Sequence, residues 1–299
     1  MAFRNIVIEN TAHISLKNRQ LIIHTDSEHS VPVEDISALL LENKYSTITT
    51  AALSCLGQCG CSVFICDDKH MPCAVLEPFS QHSRQLKMVK NQIAATEPFK
   101  KRVWQSLIIS KIRNQAKCLE LNNIKTDSDI LYNLSLNVKS GDAENVEAVA
   151  AQKYFPALFG TGFTREYDNG YNSALNYGYA ILRGSIARSL AVYGFIPSLG
   201  VHHRSELNSF NLADDLIEPF RPLVDLLVSS CFEENDELTP EKKRLLFNCL
   251  NLDILSGGQH HSAAYAIERL VRSLSTSFED GKAELCLPEL TDLKQHRYE

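Results

Sequence analysis

The sequence predicts a protein of mixed α and β class, with an amino-terminal β-sandwich-like domain followed by a larger, mainly α-helical domain. Short runs of alternating apolar and polar residues, typical of strands, fill the chain up to about residue 76. After Pro78, apolar residues recur at helical spacing instead. A length of 299 residues with 44% apolar residues suits two packed domains. The predicted boundaries are 1–78 for the β domain, 79–84 for a linker and 85–299 for the helical domain.

The β domain is expected to contain six short strands and one helix. A hairpin turn at residues 17–20 joins two of these strands, and Pro32 restricts the start of another. A short helix over 47–56 is predicted, with Thr47 or Thr49 as its cap. The strands are predicted near residues 6–8, 14–16, 21–23, 36–41, 62–66 and 74–76.

The remaining chain favours helices separated by Pro- and Gly-containing loops. Pro156 is expected to end the fourth helix, and the last twenty residues are predicted to be a loosely held tail. No internal repeat is present. The helices are predicted near residues 82–96, 99–122, 127–136, 144–155, 174–193, 241–249 and 262–278.

Composition excludes several classes of protein. No apolar run approaches the roughly 18 residues of a membrane span, and the first residues lack the layout of a signal peptide, so a cytoplasmic protein without a membrane partner is expected. Nine cysteines, an odd number, are predicted to be reduced. Four of them cluster without the paired spacings of a zinc module, which favours buried thiols.

The net charge of −6 argues at first against a nucleic-acid partner, but the charge is unevenly distributed. Residues 81–118 contain nine basic residues and one acid, a net charge of +8, which leaves −14 for the rest. Such a segment suits phosphate contacts, although a solvated helix face is an equal alternative. The candidate DNA-binding residues are Arg84, Lys87, Lys100, Lys101, Arg102, Lys111 and Arg113.

The passage from Gly200 to Asp225, GVHHRSELNSFNLADDLIEPFRPLVD, is predicted to be a turn followed by a helix. On this helix, Asp215 and Glu218 are three residues apart and share a face that suits one charged partner. Carboxylates with an imidazole hold the hard divalent ions that phosphoester chemistry uses. A solvated acidic face with surface histidines is the alternative.

Glu147 is the second candidate for such a site. It lies in an alanine- and valine-rich helical segment, where a buried acid requires a cation or a donor nearby. An ordinary exposed glutamate is the alternative. Glu147, the pair His202 and His203, and the acids Asp215 and Glu218 together provide the ligand types of a metal site. Spacing alone does not show that these residues converge.

Three further features are interpreted as structural. Trp104 is expected in the core or at an interface. The tyrosines at 171, 177 and 179 favour packing over base stacking, because the surrounding helix is apolar. His260 and His261 favour a solvated helix-capping passage over a DNA-contacting loop.

Five segments resemble the CRISPR adaptation integrases, the first-numbered Cas proteins, over nearly the whole chain. VPVEDISALLLEN with ITTAALSCLGQCGCSVFICDD resembles the β-domain of that family, and EAVAAQKYFPALF resembles the helix that bears its first metal-binding glutamate. NSALNYGYAILRG resembles its signature helix, although Asn169 stands where many relatives have aspartate. ADDLIEPFRPLVD is most similar to the type II variants.

The resemblance implies specific roles for individual residues. Glu147, His203 and Glu218 correspond to the family's catalytic metal ligands, which hold Mg²⁺ or Mn²⁺. Asp215 corresponds to an auxiliary acid one turn earlier, and His202 is an extra histidine beside His203.

The resemblance also implies an activity and partners. A homodimer joins a dimer of the second Cas protein, holds double-stranded DNA with 3′ overhangs, and inserts it at the borders of CRISPR repeat DNA by 3′-hydroxyl transesterification. In a type II system the effector nuclease and an accessory ring protein are further candidate partners. Two alternatives stay open: a metal-dependent nuclease that acts alone, and a scaffold that binds DNA and proteins without catalysis.

Overall fold

A computed structural model describes residues 4–68, 71–76 and 85–297. In these residues, eight strands and one α-helix precede residue 77, and nine α-helices follow residue 84. The predicted fold class, a β-sandwich-like part followed by a mainly helical part, is confirmed. The predicted linker at 79–84 lies outside the described residues, so the boundaries 1–78, 79–84 and 85–299 stay predictions.

Two four-stranded sheets form the amino-terminal part, and apolar side chains from both sheets build a core between them. The elements are β1 (Arg4–Ile8), β2 (His13–Lys17), β3 (Gln20–His24), β4 (Glu28–Pro32), β5 (Ile36–Leu41), β6 (Thr47–Ile48), α1 (Thr50–Gln58), β7 (Ser62–Cys66) and β8 (Pro72–Val75). One sheet has the order β1-β5-β7-β8, with only β8 antiparallel to its neighbour. The other has the order β4-β3-β2-β6, in which β2 and β6 are parallel.

The hairpin between β2 and β3 has the predicted turn. Asn18 and Arg19 have positive φ angles of 51° and 59°, the backbone conformation that a two-residue hairpin turn requires. The next strand was not predicted, because Pro32 was expected to begin a strand and instead ends β4. This strand lies at a sheet edge, where a polar sequence is tolerated and the alternation of apolar residues is lost.

The predicted helices have counterparts in the structure with ends within a few residues, except that the predicted start of the first at residue 82 lies outside the described residues and the one predicted within Gly200–Asp225 is divided into two. None of the described helices combines the length and apolar character needed to cross a membrane. The helices are α2 (Gln85–Ala94), α3 (Glu97–Leu121), α4 (Lys125–Ser135), α5 (Val146–Phe159), α6 (Gly170–Val192), α7 (Asn211–Ile217), α8 (Arg221–Cys231), α9 (Pro240–Phe247) and α10 (Ala263–Asp280). A 3₁₀ turn, Glu218–Phe220, joins α7 to α8.

Helix α3 is the central element of the helical part. It packs against α4, α5 and α8 and against the 3₁₀ turn Glu218–Phe220. With 25 residues it is about 37 Å long, so it reaches all of these elements at once. Its position brings α5 and the 3₁₀ turn, which are far apart in sequence, to one side of the same helix.

The β-rich part packs firmly against the helices. Lys243 of α9 and Glu42 form an ion pair of 2.7 Å, and both side chains are buried. Phe64 of β7 fills the space left by Gly184 of α6, where a Cβ would lie 2.3 Å from the ring. The glycine that weakens the helical pattern of α6 therefore permits close contact between the two parts.

Pro156 does not end α5, contrary to the prediction. The helix continues to Phe159, and the N–H of Gly160 donates to the carbonyl of Pro156 at 3.0 Å. Pro156 lies three residues before the end of the helix. Its missing N–H therefore removes only one hydrogen bond, within the last turn of α5.

The carboxyl-terminal segment is packed, so the predicted loose tail is wrong. A three-stranded sheet with the order β10-β9-β11 contains β9 (Asp253–Ser256), β10 (Gln259–Ser262) and β11 (Pro288–Glu289). His260 and His261 therefore lie on β10 and not in a helix-capping loop. Leu290 is buried, and its N–H donates to Asn114 of α3 at 3.0 Å. A two-residue strand has no periodicity for sequence analysis to detect.

All nine cysteines are free. Cys61 and Cys66 are buried, and burial raises the pKa of each thiol to about 12. Cys59 is exposed and departs from the prediction of buried thiols, since it caps the end of α1.

We expect Gly170→Ala to lower the free energy of unfolding by about 1–3 kcal/mol, because overpacking forces the surroundings to shift. A Cβ at this position would lie 2.5 Å from the carbonyl oxygen and 2.7 Å from the nitrogen of Asp236, and backbone atoms yield less easily than a flexible side chain. Thermal denaturation measures the effect. Gly162→Ala is the matched control, since a Cβ there meets nothing within 4 Å. Equal melting temperatures for both variants would contradict the account.

Candidate active site

Two of the predicted metal ligands converge on one buried lysine. The Nζ of Lys111, on α3, lies 2.5 Å from Oε1 of Glu147 and 2.6 Å from Oε2 of Glu218. Lys111 is only 8% exposed. Three elements, α3, α5 and the 3₁₀ turn, therefore meet at a single cluster of charges.

Glu147 is positioned by the capping of α5. Asn145, the residue before the helix, has a left-handed φ of 54° and provides no side-chain cap. Asp142 caps the helix instead, because its carboxylate accepts from the N–H groups of Val146 at 2.9 Å and Glu147 at 3.0 Å. The side chain of Glu147 is 26% exposed, so this edge of the cluster is open to solvent.

Glu218 is held more deeply. Its Oε1 accepts from Nε of Arg221 at 3.0 Å, and Asn114 of α3 fixes the 3₁₀ turn by donating to the carbonyl of Pro219 at 2.8 Å. Burial opposes the charged form of Glu218, but Lys111 and Arg221 outweigh it and lower the pKa of the carboxyl to about 2. The buried Oε2 lies 2.6 Å from the ammonium of Lys111, so the two oxygens of Glu218 face two different cations.

Asp215 organises the loop that carries His203. This carboxylate is fully buried and accepts from the backbone N–H groups of Val201, His202 and His203 at 2.6, 3.1 and 3.0 Å. It also lies 2.8 Å from Nδ1 of His203. The hydrogen bond to Asp215 raises the pKa of His203, although burial opposes the shift. In the neutral ring, the tautomer with its proton on Nδ1 donates to Asp215, and only then does Nε2 have a free lone pair.

Asp215 and Glu218 do not share one charged partner, contrary to the prediction. Helix α7 ends at Ile217, and Glu218 begins a 3₁₀ turn, which has a different angle per residue. As a result Asp215 contacts the histidine loop and Glu218 contacts Lys111.

Trp104 of α3 forms a wall beside the histidines. Its ring stacks on that of His202, with centroids 4.0 Å apart and planes within 2°, and meets the ring of His203 edge-on at 5.7 Å. Trp104 is buried, as expected, but it also contacts this site, which the sequence analysis missed. The available signal was its spacing of seven residues from Lys111, which places both on one side of α3.

Arg221 and Tyr179 extend the cluster towards the core. The guanidinium of Arg221 lies 4.6 Å from the centroid of the Tyr179 ring, and that of Arg165 lies 5.4 Å from the same centroid. The Tyr179 hydroxyl donates to Asp225, and Tyr154 donates to the same carboxylate at 2.9 Å. Burial raises the pKa of Asp225 to about 6 against these hydrogen bonds. Packing is thus the role of Tyr179, as expected, while Arg221 is a site residue that sequence analysis missed.

The three predicted metal ligands are near one another but are not assembled. In the described part of the chain, no group of three His, Cys, Asp or Glu side chains is arranged to hold a metal ion. The donors themselves suit Mg²⁺ or Mn²⁺, since two carboxylates and an imidazole provide hard oxygens and one nitrogen. The carboxylates already surround a cation, the ammonium of Lys111. We conclude that the residues fit a divalent ion chemically.

The predicted DNA-binding residues differ in their exposure and in their ion pairs. Lys111 departs from the predicted surface position, because in this structure it is buried between the carboxylates of Glu147 and Glu218. Arg84 lies outside the described residues. Lys101, Arg102 and Arg113 are exposed. Lys87 pairs with Glu279 at 2.9 Å, and Lys100 lies 3.9 Å from Glu97.

We expect Asp215→Asn to lower the pKa of His203 and the melting temperature. The charged His203 form stabilises the fold below its unfolded pKa of about 6.5, and this contribution is lost as the pH rises through the higher folded pKa. The loss in melting temperature should therefore be larger at pH 5.5 than at pH 8.5. An NMR titration of the His203 ring, with a chelator present, measures the pKa.

Asp214→Asn is the control for this experiment, since Asp214 pairs with Arg183 at 2.6 Å and raises the pKa of His203 less than Asp215 does, so this variant should lower that pKa less. The assignment of Asp215 as the residue that orients His203 would be wrong if both variants left the pKa of His203 at the same value.

Comparison with known proteins identifies the family. The sequence profile described as CRISPR associated protein Cas1 matches residues 6–243, a range that includes Lys111, Glu147, His203 and Glu218. The CRISPR-associated endonuclease Cas1 of Neisseria meningitidis serogroup C (strain 8013) is 44% identical over 304 residues, covering 100% of both chains.

Two solved structures share the fold. A casposase bound to integration product has a TM-score of 0.75 at 20% identity and covers 95% of this chain and 92% of its own. A chain of a Cas6-RT-Cas1–Cas2 complex has a TM-score of 0.69 at 19% identity, covering 98% of this chain and 36% of its own. These comparisons confirm the family that the sequence segments predicted. This chain belongs to the CRISPR associated protein Cas1 family.

Proposed function

We propose that this chain is a metal-dependent DNA integrase of CRISPR adaptation, which inserts short DNA at repeat borders and also has endonuclease activity on DNA. The observation that carries the proposal is the convergence of Glu147 and Glu218 on one cation, with His203 oriented by Asp215 and close enough to Glu218 for that charge to raise its pKa. Family membership and the casposase described as bound to integration product support strand transfer as the reaction. The name of the Neisseria relative supports the endonuclease activity.

The reaction is a transesterification. The oxygen of an incoming 3′-hydroxyl bonds to phosphorus at the repeat border, while the bond from phosphorus to the 3′ oxygen of the target strand breaks. The attacking hydroxyl gives up its proton, and the departing oxygen takes one up. Hydrolysis by the same site needs only a water molecule in place of the 3′-hydroxyl, which explains how one set of residues serves both activities.

The side chains divide this work. Glu147, His203 and Glu218 would hold Mg²⁺ or Mn²⁺, which would neutralise phosphate charge and activate the attacking oxygen. Nε2 of His203 is the available proton acceptor, because Nδ1 faces Asp215. Arg221, held against Glu218, adds positive charge beside this carboxylate.

The proposed partners follow from the relatives. A complex described as containing Cas1 and Cas2 and a Cas1 protein described as bound to DNA support Cas2 and double-stranded DNA as partners of this chain. We further propose a homodimer that joins a Cas2 dimer in the cytoplasm, with residues 85–299 as the catalytic domain. The effector nuclease and an accessory ring protein of a type II system are proposed additional partners.

The integration assay tests the reaction and the site together. Purified protein with Cas2, a labelled duplex with 3′ overhangs and a repeat-bearing plasmid should join label to the repeat border when Mg²⁺ or Mn²⁺ is added. His203→Ala, Glu147→Ala and Glu218→Ala should each lower the rate by roughly 100-fold or more. Glu206→Ala, which changes an exposed acid of the same loop, should retain activity.

Other outcomes of this assay would replace the proposal. A nicked plasmid with unjoined label would indicate a nuclease that acts alone. DNA binding without chemistry in either metal would indicate a scaffold. Full activity of Glu218→Ala would show that the reaction takes place elsewhere.

We expect Lys101→Gln to weaken DNA binding and Arg113→Gln to leave it nearly unchanged. The stem of the exposed Lys101 packs against Gly141, which precedes the Asp142 that caps α5 and binds the N–H of Glu147. Arg113 is two residues from Lys111 and therefore points about 160° away around α3. Fluorescence anisotropy across a salt series measures this, and the loss of one phosphate contact lowers the salt slope by about 0.9. Equal effects of both variants would contradict this orientation of DNA.

A further inference from the structure

The cluster at Lys111 is electrically balanced before any ligand binds. Glu147 and Glu218 contribute two negative charges, and Lys111 and Arg221 contribute two positive ones, joined by ion pairs of 2.5, 2.6 and 3.0 Å. Lys111 and Glu218 are nearly excluded from solvent, so water screens these charges poorly. A divalent ion added to these four groups would therefore leave a net charge of +2 at a site that is largely excluded from water.

The ammonium of Lys111 also occupies the space that a metal ion needs. Its Nζ is in contact with one oxygen of each carboxylate, and Mg²⁺ binds such oxygens at about 2.0–2.1 Å. Two cations that share the same two oxygens repel each other. Metal binding by both carboxylates therefore requires Nζ to leave at least one of them.

Of the two cations, Lys111 is the one able to move. Arg221 is fixed by its Nε bond to Glu218 and by the Tyr179 ring, 4.6 Å away. Lys111 carries a compact ammonium on a flexible four-carbon stem, so its Nζ can move while helix α3 stays in place. Glu147, at the open edge of the cluster, gives the ammonium a route towards solvent and towards a phosphate.

We propose that Lys111 is an internal counter-ion that competes with the divalent metal for Glu147 and Glu218, and that a DNA phosphate relieves this competition by accepting the displaced ammonium. This proposal rests on the metal site of the proposed function. Lys111 is then a positioning residue. Metal affinity is low in the free protein and rises when DNA is bound, and DNA affinity rises with metal by the same factor.

Mn²⁺ binding to the full chain tests the proposal without measuring activity. Isothermal titration is done with and without a 3′-overhang duplex whose ends lack the 3′-hydroxyl. In the wild type we expect DNA to tighten Mn²⁺ binding by about 5- to 150-fold. Lys111→Met, which keeps the length of the side chain without its charge, should bind Mn²⁺ at least about 5-fold more tightly than the wild type in the absence of DNA, with a smaller gain from DNA.

Two further variants serve as controls. Lys117→Met removes a lysine of the same helix that pairs with Glu120 at the surface, and it should bind Mn²⁺ like the wild type. Lys111→Arg keeps the charge and should keep the weak binding.

Thermal denaturation gives a second readout. With a chelator present, Lys111→Met should melt at a lower temperature than the wild type, because two carboxylates lose their cation. Added Mn²⁺ should raise the melting temperature of the variant again.

The possible failures are distinguishable. If Glu147→Gln and Glu218→Gln leave Mn²⁺ binding unchanged with and without DNA, the proposed metal site itself is wrong. If those variants weaken binding but Lys111→Met binds Mn²⁺ like the wild type, the counter-ion role is wrong and the proposed function stands. Should Lys111→Met fail to fold, the wild type alone decides: Mn²⁺ affinity that is the same with and without DNA overturns the proposal.

Discussion

The buried ion pairs of Lys111 are the interaction on which the candidate site depends. A lysine with so little exposure needs carboxylate partners, and loss of one partner from a buried pair typically costs about 3–5 kcal/mol. The partners come from two distant parts of the sequence, so the lysine joins α5 to the 3₁₀ turn that follows α7. Helix α3 presents Trp104, Lys111 and Asn114 on one side, and each contacts a different component of the site.

Two acids of one short passage have separate tasks. Asp215 uses its oxygens within the protein, since three backbone N–H groups and an imidazole fill its lone pairs. Glu218 faces two cations, Lys111 and Arg221, one at each of its oxygens. The first carboxylate fixes the shape of the loop, and the second is available for chemistry. This division depends on the change from α-helix to 3₁₀ turn between them.

Sequence analysis predicted the family, the fold class and the helices, because apolar periodicity and the ADDLIEPFRPLVD segment are local signals. It placed Lys111 among surface residues, since net charge over a segment does not reveal which side of a helix is buried. The edge strand β4 and the two residues of β11 carry no periodic pattern. The separate partners of Asp215 and Glu218 depend on tertiary contacts, which spacing alone does not contain.

The side chain of Asn114 joins the 3₁₀ turn Glu218–Phe220 to the carboxyl-terminal segment. Its amide nitrogen donates to the carbonyl of Pro219 at 2.8 Å and to that of Pro288 at 3.0 Å, while its oxygen accepts from Leu290. The carboxyl-terminal segment and the turn that carries Glu218 therefore share one anchor. Removal of the residues from Pro288 onward would leave Asn114 without two of its partners and loosen the turn that carries Glu218. The last packed residues therefore help to support the site.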